Sequence, residues 1–231
     1  MVGALRHFGR LFALGGGLFA GAASAQQQPD TSTLLRQFIS DPGYQAAVWN
    51  RARKQAAAMP DHCADVKAAD EKVGIGIAAP VAFEKRNGRD FPSSGAWIVH
   101  LNADACGTRR QLNVLTIAKA GGAVDLVPLY RGTTRADPVL QRDATLAALA
   151  TGTVAANRAD VKGCKSALVV DTRVVSIDAK PQPKVMPGRS PYAWHEIWTI
   201  DYCGRPFEAA IDFTPDPTGT GFNAHLPTSA K

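Results

Sequence analysis

WHEIWTIDYCG, Trp194–Gly204, repeats a pattern already written as WIVHLNADACG at Trp97–Gly107: a Trp, Cys-Gly nine positions on, and Asp two before the Cys. Internal repetition is tested before local structure, because a missed duplication misreads the whole fold. The correspondence runs outward from these stretches in both directions. Asp-Pro followed by a Gln three after the Pro occurs as DPGYQ, with Gln45, and as DPVLQ, with Gln141. From Cys63, CADVKAADEKVGIGIAAP aligns without gaps on CKSALVVDTRVVSIDAKP from Cys164. Gly88-Arg89 and Gly188-Arg189 follow, then SSGAW and SPYAW, and finally Gly122 and Gly221 each stand six before a Pro. The order is the same throughout, so the sequence reads as a duplicated module.

That reading yields a fold expectation. Asp41 and Asp137 suit helix N-caps, since a short carboxylate accepts from free first-turn amides and the following Pro gives up only an unneeded N–H. Helices are expected over 42–58 and from 138 toward 157, with a further short helix near 33–38. Tyr44, Val48, Ala52, Gln55 and Met59 recur at helical spacing, while Gly152 is a potential break in the second helix. After each Cys the period becomes two. Val73, Ile75 and Ile77 alternate with glycines that leave the other face bare for close approach by a helix or a backbone. A Pro- and Gly-rich loop, the Trp strand and two further strands complete each copy. The expected class is α+β: two tandem copies of a helix followed by a four-stranded, mostly antiparallel meander, one disulfide per copy.

Boundaries follow: 1–25 a signal peptide, 26–40 a linker with a short helix, 41–130 the first copy, 131–136 a connector, 137–227 the second copy and 228–231 a tail. The leader has Arg6 and Arg10, an apolar run from Leu11 and the small-residue site Ala23-Ser24-Ala25. This is the pattern of a Sec-type signal cleaved after Ala25, and its expected destination is periplasmic or secreted. Four Cys allow three pairings. Copies that are self-contained give Cys63–Cys106 and Cys164–Cys203, each worth about 4 kcal/mol on a loop-entropy argument.

Charge narrows the partners. Two of the 26 basic residues precede the cleavage site, which leaves 24 against 20 acids, a surplus of +4. That surplus is mild, with no clustered basic footprint or stacking motif, so a nucleic-acid partner is not expected. No later run is long enough to span a bilayer, so integral membrane association is not expected either. Asn-x-Ser/Thr acceptors are absent from the sequence.

Candidate chemistry is sparse. Asp104 and Asp201 occupy matched positions and could serve acid-base work. His195 and Glu196, with Asp201, are the candidates for a hydrolase or metal-dependent centre, and Trp194, Trp198 and Tyr202 nearby suggest a ligand pocket. His62, His100 and His225 are scattered without zinc spacing, and Met59 and Met186 complete a weak copper set. Arg89 and Arg189 lie on equivalent loops suited to an anionic or macromolecular partner. Nucleophile elbow, P-loop, dinucleotide fingerprint and H-E-x-x-H are all missing, and no cofactor is expected.

From Trp194 to Phe222 the run of Trp strand, Cys-Gly, alternating strand, Phe-x-Pro-Asp and glycine turn resembles uncharacterised exported proteins of Gram-negative bacteria. The first copy departs from it, with Thr116-Ile117-Ala118-Lys119 where the second has Phe213-Thr214-Pro215-Asp216. The resemblance implies location and fold type, without an activity. The expectation is therefore a binding or accessory protein of the periplasm, with the hydrolase or metal-dependent enzyme and a structural envelope component as alternatives.

Overall fold

The computed structural model describes residues 30–61, 63–186 and 190–228. The segment expected to be a signal peptide, His62, Arg189 and the end of the tail lie outside the described residues. The chain runs α1 (Thr31–Ile39), α2 (Pro42–Ala58), β1 (Val66–Arg86), β2 (Arg89–Ala105), β3 (Thr108–Ala118), β4 (Val124–Pro128), α3 (Pro138–Arg158), β5 (Ala167–Pro181), β6 (Tyr192–Tyr202), β7 (Arg205–Asp216) and β8 (Gly219–His225). The strands form two antiparallel sheets in chain order, β1-β2-β3-β4 and β5-β6-β7-β8.

The helix starts follow from their caps. Asp30, Asp41 and Asp137 each accept a first-turn amide, and Pro opens α2 and α3. Gly152 does not break α3. It belongs to the buried stripe Gln141, Ala144, Ala148, Gly152 and Ala156, and a Cβ there would stand 3.2 Å from the Ile200 side chain. Small residues at that spacing let the helix lie close on its sheet.

The duplicated Trp to Cys-Gly stretch also has a local explanation. Ala105 pairs with Thr108 and Tyr202 with Arg205, so each Cys-Gly is a two-residue hairpin loop. Both residues of each loop have positive φ: 52° and 77° at Cys106-Gly107, 54° and 82° at Cys203-Gly204. That is the type I′ geometry, whose twist matches the strands it joins. Asp104 Oδ1 accepts from Gly107 N at 2.8 Å and Asp201 Oδ1 from Gly204 N at 3.0 Å. The disulfides Cys63–Cys106 and Cys164–Cys203 then tie each turn to the segment entering its sheet.

The fold class is corrected. Of the described residues 51% are strand and 24% helix, so the protein is mostly β, and it is not two tandem helix-and-meander copies of an α+β module. Two helices precede the first sheet and one precedes the second. The loop expected after the first glycine-alternating strand is instead paired. β1 continues through Pro80 to Arg86 and turns tightly back into β2, with bulges absorbing the irregular residues between Ala68 and Phe83. The matching segment of the second half leaves its sheet after Pro181. Gly74 and Gly76 face a side chain rather than a backbone, since a Cβ at either would meet His100 at 3.1 and 3.3 Å.

Each sheet buries one face. Trp97, Val99, Leu101, Leu112 and Val114 pack against α2 with Val48, Ala52 and Ala56. Trp198, Ile200, Ile211 and Phe213 pack against α3 with Ala144 and Ala148. Each large side chain removed from water contributes about 1.5–3 kcal/mol, which makes these two faces the main source of cohesion.

The connector 131–136 joins the two sheets. Arg131, 3% exposed, donates Nε to Val170 O at 2.9 Å and Nη1 to both oxygens of Asp61 at 2.8 and 3.1 Å. Gly132 N donates to Gln111 O, and Thr172 N and Thr133 N exchange bonds with the backbone across the strap. A Cβ on Gly132, at φ +87°, would stand 1.9 Å from Thr172 O, so only glycine fits there. Arg110 adds ion pairs to Asp61 at 3.5 Å and Asp171 at 3.2 Å. The halves are therefore held in register beside the cleft described next.

Candidate functional site

Alternation along β6 decides what becomes of His195 and Glu196. Successive side chains of a strand point to opposite faces, so neighbours in sequence are separated by the sheet. Glu196 faces inward with Trp194, Trp198 and Ile200 and is 1% exposed. His195 faces outward and is 40% exposed. Asp201 is engaged at the Cys-Gly turn. The expected centre of His195, Glu196 and Asp201 is thus not assembled, and among the described residues no group of His, Cys, Asp or Glu is placed to hold a metal ion.

Glu196 is a structural hub. Oε1 accepts from Trp194 Nε1 at 2.8 Å, from Arg135 N at 2.8 Å and from Thr134 Oγ1 at 3.0 Å, and Oε2 accepts from Trp198 Nε1 at 2.8 Å. Four donors satisfy a carboxylate that burial alone would make costly. Trp194 and Trp198, expected at a binding surface, are core residues, with Trp194 stacked on Phe213 at 4.8 Å. Tyr202 is half-buried edge-on to Phe207. Arg89 is exposed at the β1-β2 turn, opposite Arg86, so the expected pair of equivalent basic loops is a tight hairpin on the one side that is described.

On the outer face of the second sheet, four side chains form a row across all four strands. Asp178 Oδ1 lies 3.1 Å from His195 Nε2, His195 Nδ1 lies 2.7 Å from Asp212 Oδ1, and Asp212 Oδ2 lies 3.0 Å from His225 Nε2. Hydrogen bonding to Asp212, against a smaller opposing effect of burial, raises the His195 pKa above its ordinary 6.5. Burial pushes the Asp212 carboxyl up, but bonds from His195 and His225 together outweigh it and hold the group below its ordinary 3.8. The row is open to solvent, with the His195 and Asp212 side chains 40% and 38% exposed.

A cavity lies elsewhere. Between α2 and the end of β4 on one side, and α3 and the start of β5 on the other, a cleft of about 900 Å³ opens. Its walls include Met59, Leu129 and Tyr130 from the first half and connector, and Leu146, Leu149 and Leu168 from the second. The volume falls within the range of small-molecule sites, and such sites are mostly apolar with a few placed polar groups. Here those groups are two glutamines, Gln55 on α2 and Gln141 on α3. Gln141 is 3% exposed, and its Nε2 donates to Ala136 O at 2.8 Å. Gln55 Nε2 donates to Leu129 O. Both amide oxygens are buried with no hydrogen-bond partner. Around them Tyr130 Oη and Thr145 Oγ1 are bonded to each other at 2.7 Å, and Thr145 Oγ1 donates to Gln141 O.

Sequence reasoning named Gln55 only as part of a helical stripe, Met59 in that stripe and as a copper-ligand candidate, and Gln141 only as a repeated letter after Asp-Pro. The signal for Gln141 was its position: a polar residue in register with the apolar face of its own helix, alongside Ala144 and Ala148. Nothing local joins it to Gln55, because the cleft exists only once the strap brings the halves together. No family model matches the chain, and neither a curated protein nor a solved structure does.

Proposed function

We propose that this is an exported binding protein that holds a small apolar molecule in the cleft between its two halves. The observation that carries the reading is the cleft itself, about 900 Å³, walled by apolar side chains from both halves and flanked by a strap that fixes their separation. Export is part of the proposal. It rests on the leader sequence, on the resemblance of Trp194–Phe222 to exported proteins of Gram-negative bacteria, and on two disulfides, which persist in oxidising compartments such as the periplasm.

Titration with the fluorescent probe N-phenyl-1-naphthylamine tests the reading. Saturable binding of one probe per chain is expected. Leu146, which lines the cleft and is 77% exposed, tolerates substitution without loss of core. Leu146→Glu places a charge at the mouth and is expected to weaken the probe about tenfold or more, with an unchanged melting temperature. Absence of saturable binding to the unaltered protein, or identical binding by the Glu variant, would remove the cleft as the site.

A further inference from the structure

Resting on that cleft, we infer that its ligand is a neutral apolar molecule carrying at least one hydrogen-bond donor, a hydroxyl or an N–H, which meets the amide oxygens of Gln141 and Gln55. A glutamine amide has two N–H donors and an oxygen that accepts twice. In both residues a backbone carbonyl takes the amide nitrogen, Ala136 O for Gln141 and Leu129 O for Gln55. Those carbonyls fix which end of each amide is which, because the reverse orientation would set oxygen against oxygen. The two remaining oxygens are acceptors with nothing to accept.

Buried polar atoms are almost always satisfied, so two unmet acceptors on facing walls of one cavity need an account. An apolar lining would have served a pure hydrocarbon better. The other hydroxyls of the cleft cannot supply the donor, since Tyr130 and Thr145 are bonded to each other and Thr145 also to the Gln141 backbone. Both amide oxygens are shut off from water as the cleft stands, so a ligand reaches them only as the groups around them shift. An anion is disfavoured, because carbonyl oxygens repel it and the charged residues at the cleft, Arg142 and Asp143, are paired with each other at 2.8 Å.

Displacement of bound N-phenyl-1-naphthylamine by two matched competitors reads the donor directly. 2-Naphthol carries an O–H, and 2-methoxynaphthalene has the same rings with that donor removed. In the unaltered protein 2-naphthol is expected to compete about tenfold more tightly, the worth of one buried hydrogen bond. Gln141→Met keeps the volume and removes the acceptor, and Gln55→Met does the same on the opposite wall. The double variant is expected to bring the ratio of the two competitors near one. Equal competition in the unaltered protein, or a preference that survives in the double variant, overturns the donor inference and leaves the cleft standing. Failure of the probe to bind at all overturns the cleft and the donor together. Should the double variant not fold, the two competitors on the unaltered protein still decide the question.

Discussion

The two sheets bury their tryptophans by different means. In the first, Trp97 Nε1 donates to Tyr44 Oη at 2.9 Å, and that hydroxyl shares a 2.7 Å bond with Thr116. Everything there is neutral and lies within one half, tying α2 to β2 and β3. In the second, a single carboxylate takes both indoles and also the connector, through Thr134 and the Arg135 amide. Trp97, Trp198 and Glu196 are all at most 1% exposed, so the two centres are equally dry. The difference is reach. The hydroxyl chain holds a helix to its own sheet, whereas the carboxylate also holds the strap that sets the width of the cleft.

Glu196→Gln breaks this contrast most severely. It replaces one acceptor oxygen with a donor: turned to Trp198 it leaves the indole N–H and the new N–H both unmatched, and turned the other way it strips Trp194, Thr134 and the Arg135 amide of their acceptor. Each buried group left unmatched costs about 1–3 kcal/mol, so a loss of about 3 kcal/mol or more is expected in urea unfolding. Binding of N-phenyl-1-naphthylamine should weaken at temperatures where the variant remains folded, because a neutral amide holds Thr134 and the Arg135 amide less strongly than the carboxylate does. A variant that unfolds like the parent would show that the carboxylate carries no such load.

Tyr44→Phe is the matching change in the first half. It removes one hydroxyl and leaves Trp97 Nε1 and Thr116 Oγ1 without it, at about 1–3 kcal/mol. Burial already raises the Tyr44 phenol pKa, so the hydroxyl stays protonated at neutral pH and nothing ionic is lost. Probe binding is expected to stay at the parent value. If Tyr44→Phe loosens the cleft as much as Glu196→Gln does, the distinction between a local tie and one that spans the halves is wrong.

How much of this could be read beforehand depends on the range of the cause. Capping is local, and Asp41-Pro42 and Asp137-Pro138 place two helix starts where the structure has them. The Cys-Gly turns are local as well. Glu196 is legible in part: alternation along the Trp strand puts Trp194, Glu196, Trp198 and Ile200 on one face. An acid so close to a His nevertheless suggested chemistry more readily than burial. The extent of β1 was hidden because Pro80 and the alternating glycines are strand breakers on their own, and only pairing with β2 through bulges keeps them in a ladder. The cleft was not legible at all, since its walls come from three separate stretches, 55–59, 128–149 and 167–169, that only the folded chain brings together.

The outer faces extend the comparison, with the smallest expected effect. In the first sheet His100 Nδ1 meets the amides of Asn113 and Gln111, at 2.7 and 3.3 Å. In the second, His195 has a carboxylate at each ring nitrogen, and His225 has Asp212 at Nε2 and Leu226 O at Nδ1. Carboxylates only accept, so both His195 bonds form together only when its imidazole carries two protons. The His195 pKa is raised above 6.5, chiefly by Asp212, so its contribution is whole below about pH 6.5 and is lost as pH climbs through the raised value. Asp212 is depressed below 3.8, so its contribution is present above that value and is lost as pH falls through the depressed one. The row should therefore favour the fold most between roughly pH 4 and 6.5. His195 and Asp212 side chains are 40% and 38% exposed, so solvent screening holds each pair to about 0.2–1 kcal/mol. Unfolding free energies from urea titrations at pH 5.5 and 8 are expected to differ by that amount in the parent, with the lower value at pH 8. The difference should shrink at high salt and vanish in a His195→Asn, His225→Asn double variant. A parent more stable at pH 8, or a double variant with the same dependence, would separate the row from the pH response and leave the two sheets alike in this respect.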